Sequence, residues 1–294
     1  MIGVGPYAST GYVALKLEPH LHTLHSDGRD TVADMFAACK SAGYQAVALT
    51  DHNTISGLAE AERAARDLDL VLVPGVEVTT FHGHAVALGV TSVPEWRDLE
   101  ARGMDALASD VHAQGGVLSV AHPAALGSPV CSGCAWEWPI QAESADSLEV
   151  LNAARLNMDV PLALWRQRLE AGARLAPSGA GDVHSVAAAA AQRAATFVFV
   201  REPTREAVLD ALRQRRVCAS VDGPLELWLE DTDGQVALVG QCVTDGAWQA
   251  HTSAEANVVT VRLSDGSRCL YAELRDDAGA LVAVSAPIWI STSH

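Results

Sequence analysis

The chain has no long apolar run. Its longest such stretches, among them Val117–Ala121 and Ala187–Ala191, fall far short of the roughly 20 residues a membrane-spanning helix needs. No basic segment followed by an apolar stretch occurs in Met1–Gly11, so no secretory leader is expected and a cytoplasmic location follows by default. Basic charge is also scarce: 20 Lys and Arg face 36 Asp and Glu, a formal net charge of −16. The densest basic cluster, Arg213-Gln214-Arg215-Arg216, only closes a predicted helix. Nucleic-acid binding needs a basic stripe, so neither nucleic acid nor membrane is an expected partner. From residue 217 onward, eleven acidic residues face three arginines, which reads as a solvated surface. Gly-x-Ser-x-Gly is missing, so nothing points to an activated serine. Six cysteines are scattered, and only Cys131 and Cys134 share a recognisable spacing. With no second C-x-x-C to complete a zinc ribbon, reduced thiols in a loop are expected.

What is present suits a sizeable globular protein: 294 residues, 49% hydrophobic, with a mean hydropathy of +0.13. That length allows one large barrel or two domains. The first two-thirds alternate strands and helices. Strands are expected at Val13–Leu17, Ala46–Leu49, Leu70–Val73, His84–Val90, Val117–Ala121, Leu148–Leu151, Leu175–Pro177 and Thr196–Val200. Between them, Asp30 is expected to cap a helix with Val32, Met35, Phe36 and Cys39 at helical spacing. Further helices are expected at Ser56–Asp67, Trp96–Gln114, Pro161–Glu170 and from the cap Thr204 to Arg213. Repeated strand–helix units predict an α/β fold over residues 1–216, its parallel sheet open or closed into a barrel. Residues 217–294 change character, with short strands separated by turns at Thr232-Asp233-Gly234 and Ser264-Asp265-Gly266. They read as a small all-β, sandwich-like module that could shield the barrel, support a homo-oligomer or close over the site.

Nine of the eleven histidines precede residue 185, most beside a predicted strand end. His20 and His22, two apart on extended backbone, project from one side. With Asp27, His52, Glu77, His84, His122, Asp182 and His184 they form a set of imidazoles and carboxylates. Such a mixture suits Zn²⁺, Mn²⁺ or Fe²⁺, and nine ligands exceed one coordination shell. His82 competes with His84, whereas His25 and His112 read as solvent-facing or structural. Asp51 is expected to orient its neighbour His52.

These residues fall in motifs. His20-Leu-His22 with Ser26-Asp27-Gly28, Thr50-Asp51-His52, Gly75-Val-Glu77, Gly83-His84, Ala121-His122-Pro123 and Gly181-Asp182-Val-His184 resemble the ordered motifs of the PHP (polymerase and histidinol phosphatase) superfamily over about residues 15–216. More narrowly, Pro74–Gly89, Cys131–Trp136, Leu148–Asn152 and Ala286–Ile290 resemble its CehA/McbA branch, which includes carbamate hydrolases and carries a C-terminal β module. The resemblance implies a distorted (β/α)₇, TIM-like barrel with two or three divalent ions. His20, His22, Glu77 and Asp182 would hold one; Glu77 would bridge to a second held by His84 and His122; Asp27, His52 and His184 would hold a third. Glu77, Asp182 and His184, with Asp51 behind them, are the expected catalytic positions. The superfamily usually has Gly-Ser-Asp where this chain has Ala180-Gly181-Asp182, a change expected to remove a hydroxyl and loosen that corner.

The chemistry expected is hydrolysis of a small molecule by a hydroxide bridging the metals. Three divalent ions against three carboxylates and one hydroxide leave about +2, favouring an anionic phosphoester, whereas two ions leave about zero, suiting a carbamate, amide or carboxyl ester. The full trio Asp27, His52 and His184 tips the reading to phosphoesters, with Arg29 or Arg155 as candidate phosphate clamps. A metal-stabilised domain without activity is the remaining reading, disfavoured by the intact ligand set.

Overall fold

The computed structural model describes residues 5–127, 129–131, 133–138, 145–152 and 158–291. After a short helix α1 (Pro6–Ser9), strands β1 (Val13–Glu18), β2 (Ala46–Leu49) and β3 (Val71–Thr80) pair in parallel. Helices α2 (Val32–Ser41) and α3 (Leu58–Asp67) are the crossovers. The chain then reverses: β4 (Gly83–Leu88) runs antiparallel to β3, and β5 (Val117–Val120) antiparallel to β4. Between them the single helix expected over Trp96–Gln114 is two, α4 (Leu99–Arg102) and α5 (Met104–Ala113). Gly103, at φ +79°, breaks it. β6 (Ser147–Asn152) and β7 (Ala176–Ala180) continue in parallel around α6 (Asp159–Glu170). After α7 (Val186–Ala191), β8 (Ala195–Val200) returns antiparallel to β1.

The sheet curls until β7 meets β8 again. There the N–H of Gly179 donates to Thr196 Oγ1 at 3.0 Å, and that hydroxyl donates to Gly179 O at 2.9 Å. A Cβ on residue 179 would lie 2.5 Å from Ala195 O, so only glycine permits this approach. The fold is thus barrel-like with a C-terminal strand-rich region, and the distortion takes the form of the antiparallel pairs β3–β4, β4–β5 and β1–β8.

Helix α8 (Arg205–Arg213) leads into β9 (Val217–Ser220), which pairs with β8. The remaining strands are β10 (Leu227–Glu230), β11 (Val236–Leu238), β12 (Cys242–Thr244), β13 (Gln249–Thr252), β14 (Asn257–Arg262), β15 (Arg268–Arg275), β16 (Leu281–Ser285) and β17 (Ile288–Ser291). β10, β11 and β13 form a small separate sheet; the others extend the barrel sheet through the β9–β16 pair. Side chains lock the two regions together. The Tyr7 hydroxyl donates to Leu227 O at 2.8 Å and accepts from Val239 N–H. Trp165 of α6, fully buried, meets the Tyr271 ring edge-on at 4.8 Å.

One cap differs from expectation. Thr31, not Asp30, caps α2, its hydroxyl accepting from Asp34 N–H. Asp30 reaches across to α7 and accepts the N–H of Val186 at 2.8 Å. Among the described residues no helix is long and apolar enough to cross a membrane.

Candidate metal centre

Backbone pairing at the strand ends sets the donors. Beyond β1, Leu21 bridges Val183 in parallel; His22 N–H donates to Val183 O at 2.9 Å and Val183 N–H to His20 O. Leu21 turns into the core, fully buried, so His20 and His22 share the opposite side. The same pairing brings Asp182 and His184 beside them. A second bridge, His52 to Glu77, joins the segment that follows β2 to the second half of β3.

Glu77 is the centre. Its Oε2 lies 3.2 Å from Nε2 of both His20 and His22. Those nitrogens lie 3.4 and 3.3 Å from Asp182 Oδ1. Four donors about 2.0–2.1 Å from one tetrahedral ion stand roughly 3.3–3.4 Å apart, so the spacing is that of a coordination shell. Oε1 of Glu77 faces the other way, 3.0 Å from His84 Nδ1 and 3.2 Å from His122 Nε2. Asp27 gathers the outer group: Oδ1 lies 3.2 Å from His184 Nε2 and Oδ2 3.5 Å from His52 Nε2. The structure adds His22 to this group, its Nδ1 3.8 Å from Asp27 Oδ1. Its ring stacks against that of His52 at 4.4 Å and that of His184 at 4.2 Å, which themselves lie 6.3 Å apart. His52 turns its Nδ1 to Thr79 Oγ1 at 2.5 Å and Glu77 Oε2 at 2.9 Å.

The fit to metal rests on polar atoms with no other use. His20 Nε2, both nitrogens of His22, Glu77 Oε2, His84 Nε2 and His122 Nδ1 are buried without a hydrogen-bond partner. Buried polar groups are otherwise almost always paired, and this donor set suits a divalent ion. Without an ion the cluster holds protons. Burial opposes the charge on His20, but Glu77, Asp182 and Glu149 outweigh it and raise its pKa well above the usual imidazole value. Burial likewise opposes charge on His52, yet Asp27 and Glu77 push it up to about 10. Against the opposing effect of burial, the imidazoles hold Glu77 and Asp182 below the usual carboxylate range, His20 foremost in each case.

Two ligand positions carry left-handed backbone: His122 at φ +28° and Asp182 at φ +50°, a conformation that costs a non-glycine residue about 1–3 kcal/mol. Each is held by a buried carboxylate that the sequence reading missed. Glu149 accepts the N–H of His122 at 2.8 Å with Oε2, while Oε1 takes the Nδ1–H of His20 at 2.7 Å. Glu18 accepts the N–H of Gly181 at 2.9 Å, and burial pushes its carboxyl up to about 8. The signal was there: a carboxylate in or at the end of a mainly apolar strand, once buried, demands partners.

Asp51 does not touch the His52 ring. It accepts from Thr23 N–H and Thr23 Oγ1, both at 2.8 Å, and from Ser26 Oγ at 2.6 Å, so it anchors the loop that carries Asp27. His82 points away, half-exposed between Glu137 and Glu100, and His84 takes the place beside Glu77. His25 ties to Ser56 and Glu60, and His112 to Asp146. Arg29 is exposed, its N–H donating to His184 O at 2.8 Å. Arg155 lies outside the described residues. Cys131 and Cys134 are joined as a disulfide, correcting the expected free thiols; the four-residue span brings their Cα atoms to 5.5 Å. Their loop is pinned to the β3–β4 turn, where Glu137 N–H donates to His82 O and Trp138 Nε1 to Thr80 Oγ1. Gly83 leaves room for the Trp136 ring, so these tryptophans pack on the barrel rim.

Parts of this chain are similar to known proteins. The family model for the PHP domain matches residues 18–152. A 5'-3' exoribonuclease of Haemophilus influenzae is 37% identical over 65 residues, 22% of this chain and 24% of that protein. An error-prone DNA polymerase of Pseudomonas fluorescens is 35% identical over 72 residues, 24% of this chain and 7% of that one. The chain thus spans a quarter or less of these two relatives. A crystal structure of a two-domain protein from Bacteroides vulgatus, described as containing a predicted PHP-like metal-dependent phosphoesterase, aligns at a TM-score of 0.60. It is 18% identical over 94% of this chain and 96% of its own, a likeness of fold. The PHP-domain match thus covers residues 18–152, a little under half of this chain, and the likeness beyond it is one of fold.

Proposed function

We propose that the chain is a metal-dependent phosphoesterase acting on small molecules inside the cell. The observation that carries the reading is the outer donor group. Asp27, His52 and His184 stand together beside the two groups that share Glu77, which gives donors for three cations, whether Mn²⁺, Zn²⁺ or Fe²⁺. Three divalent ions against three carboxylates leave positive charge for an anionic ester. Such ions polarise the scissile bond and make an attacking water acidic enough to react near neutral pH.

The protein's own residues supply placement. Glu77 fixes the separation of the donor groups, because its two oxygens face different imidazole pairs. Asp182 and His184, two apart on one loop, give one donor to the deep group and one to the outer group. Asp51 keeps the Asp27 loop in place, and Arg29, on the backbone strap to His184, contacts non-reacting phosphate oxygens. The net charge of −16 favours a small anion over a polynucleotide, whose binding needs a basic surface. In this reading residues 1–216 carry the chemistry and residues 217–294 brace them.

Carbamate or carboxyl-ester hydrolysis is the second reading, supported by the resemblance of Cys131–Trp136 and Ala286–Ile290 to the CehA/McbA branch. Metal analysis joined to a panel of phosphomonoester, phosphodiester, carboxyl ester and aryl carbamate decides. Turnover of a phosphoester is expected; turnover of the carbamate alone moves the assignment to the second reading, and turnover of none removes the hydrolase.

A further inference from the structure

Glu18 ends β1, fully buried, two residues before the first donor histidine. Its Oε1 accepts two backbone N–H groups, that of His20 at 3.1 Å and that of Gly181 at 2.9 Å. One oxygen therefore holds the residue that opens the His20–His22 pair and the residue that precedes Asp182. Its Oε2 is taken by the Gln192 amide, which also meets the Tyr44 hydroxyl. This carboxylate sits where residue 181 has no side chain. A Cβ there would lie 2.7 Å from Glu18 Oε2, 2.7 Å from Val183 Cγ1 and 2.9 Å from Gln192 Cδ. Gly181 does not have a left-handed φ, so space alone, not backbone angle, excludes a larger residue. The departure from Gly-Ser-Asp thus has a structural counterpart. The corner is not looser for want of a hydroxyl, because a buried carboxylate fills it and bonds both of its walls.

We infer that Glu18, seated in the space left by Gly181, is a positioning residue that sets the gap between His20 and Asp182 and thereby the affinity of the inner metal site. The gap concerned is the 3.4 Å from His20 Nε2 to Asp182 Oδ1, and Asp182 must keep its left-handed backbone for its carboxylate to reach. The inference rests on the reading that these donors hold an ion.

The test is Zn²⁺ affinity and stoichiometry by chelator competition on the full chain, with the thermal transition of the metal-free protein measured in parallel. Gly181→Ala forces the Cβ into the carboxylate and is expected to lower affinity for one Zn²⁺ by about tenfold or more, the scale for groups that orient metal ligands. Glu18→Asp in the Gly181→Ala background withdraws the carboxylate by one methylene, and most of the affinity is expected to return. Glu18→Gln, an isostere whose amide the Gln192 carbonyl can accept, stays within about threefold of wild type, since position rather than charge is at issue. Unchanged affinity in Gly181→Ala, or a double variant no better than the single one, overturns the inference. If Gly181→Ala fails to fold, the double variant must regain a cooperative transition and Zn²⁺ binding, or the inference falls. A wild-type chain that binds no Zn²⁺ overturns the metal reading beneath it, a result distinct from the others.

Discussion

Nδ1 of His20 lies 2.7 Å from Oε1 of Glu149, which is 129 residues further along the chain. The second oxygen of the same carboxylate holds the N–H of His122 at 2.8 Å and the Asn152 amide at 2.8 Å. One buried side chain thus orients a donor on each side of Glu77. Glu149→Ala is expected to cost 10- to 100-fold in metal affinity, affecting both inner groups, with Glu149→Gln milder. Equilibrium dialysis against Zn²⁺ measures this; a loss confined to one ion would contradict the shared role.

Glu77 offers an oxygen to each inner group, so Glu77→Gln is expected to reduce hydrolysis to background while the fold persists. The glutamine retains the shape but presents an N–H where one imidazole pair needs an acceptor. Circular dichroism beside turnover checks it, and full activity in this variant would remove Glu77 from the centre.

Protons and metal compete for the same atoms. In the metal-free chain the pKa of His52 is raised from 6.5 to about 10, and those of His20, His122 and His184 are raised as well. A raised imidazole contributes stability that is complete below its unfolded value and disappears as pH climbs through the folded one. The depressed carboxylates Asp27, Glu77 and Asp182 contribute above their unfolded values, near 4, and cease to do so in stronger acid. The metal-free protein should therefore melt highest from about pH 4.5 to 6.5 and soften toward pH 10. Metal uptake should release protons and weaken as pH falls. Calorimetry in buffers of different ionisation enthalpy reads the proton release directly, and an absence of release would contradict the protonated cluster.

Trp165 has no exposed surface and touches Tyr271 in the strands beyond residue 217. Trp165→Ala is expected to cost about 3–5 kcal/mol. Because the sheet passes unbroken from β8 through β9 to β16, the loss should appear in a single transition. Urea melts followed by tryptophan fluorescence and by circular dichroism should coincide; two separated transitions would mean the halves are energetically independent.

Much of the barrel was legible in the sequence because strand residues such as Ala46–Leu49 and Phe197–Val200 are apolar throughout. The donor histidines were legible for a different reason: most sit at the edge of an apolar run, His52 and His122 after one and His84 before one. What escaped notice depends on contacts far apart in sequence. β9 and β12 are short and mixed in composition, and only pairing with β8, β16 and β17 makes them strands. Glu18 and Glu149 are carboxylates in strands β1 and β6, and their purpose emerges only when Gly181, His122 and His20 arrive beside them. Asp51 illustrates the opposite error. Adjacency to His52 suggested the wrong partner, because neighbouring residues on extended backbone face opposite sides.

The contact of the His22 ring with both His52 and His184 has a consequence for how the centre fills. Its Nε2 faces Asp182 and its Nδ1 faces Asp27, so if both ion positions were filled this one ring, having given up both N–H protons, would link them. Electron density drawn toward a cation on one nitrogen is withdrawn from the other. A paramagnetic Mn²⁺ seated outside should thus broaden the resonances of a diamagnetic neighbour inside, and partly loaded protein should show discrete mixed species rather than the sum of two independent occupancies.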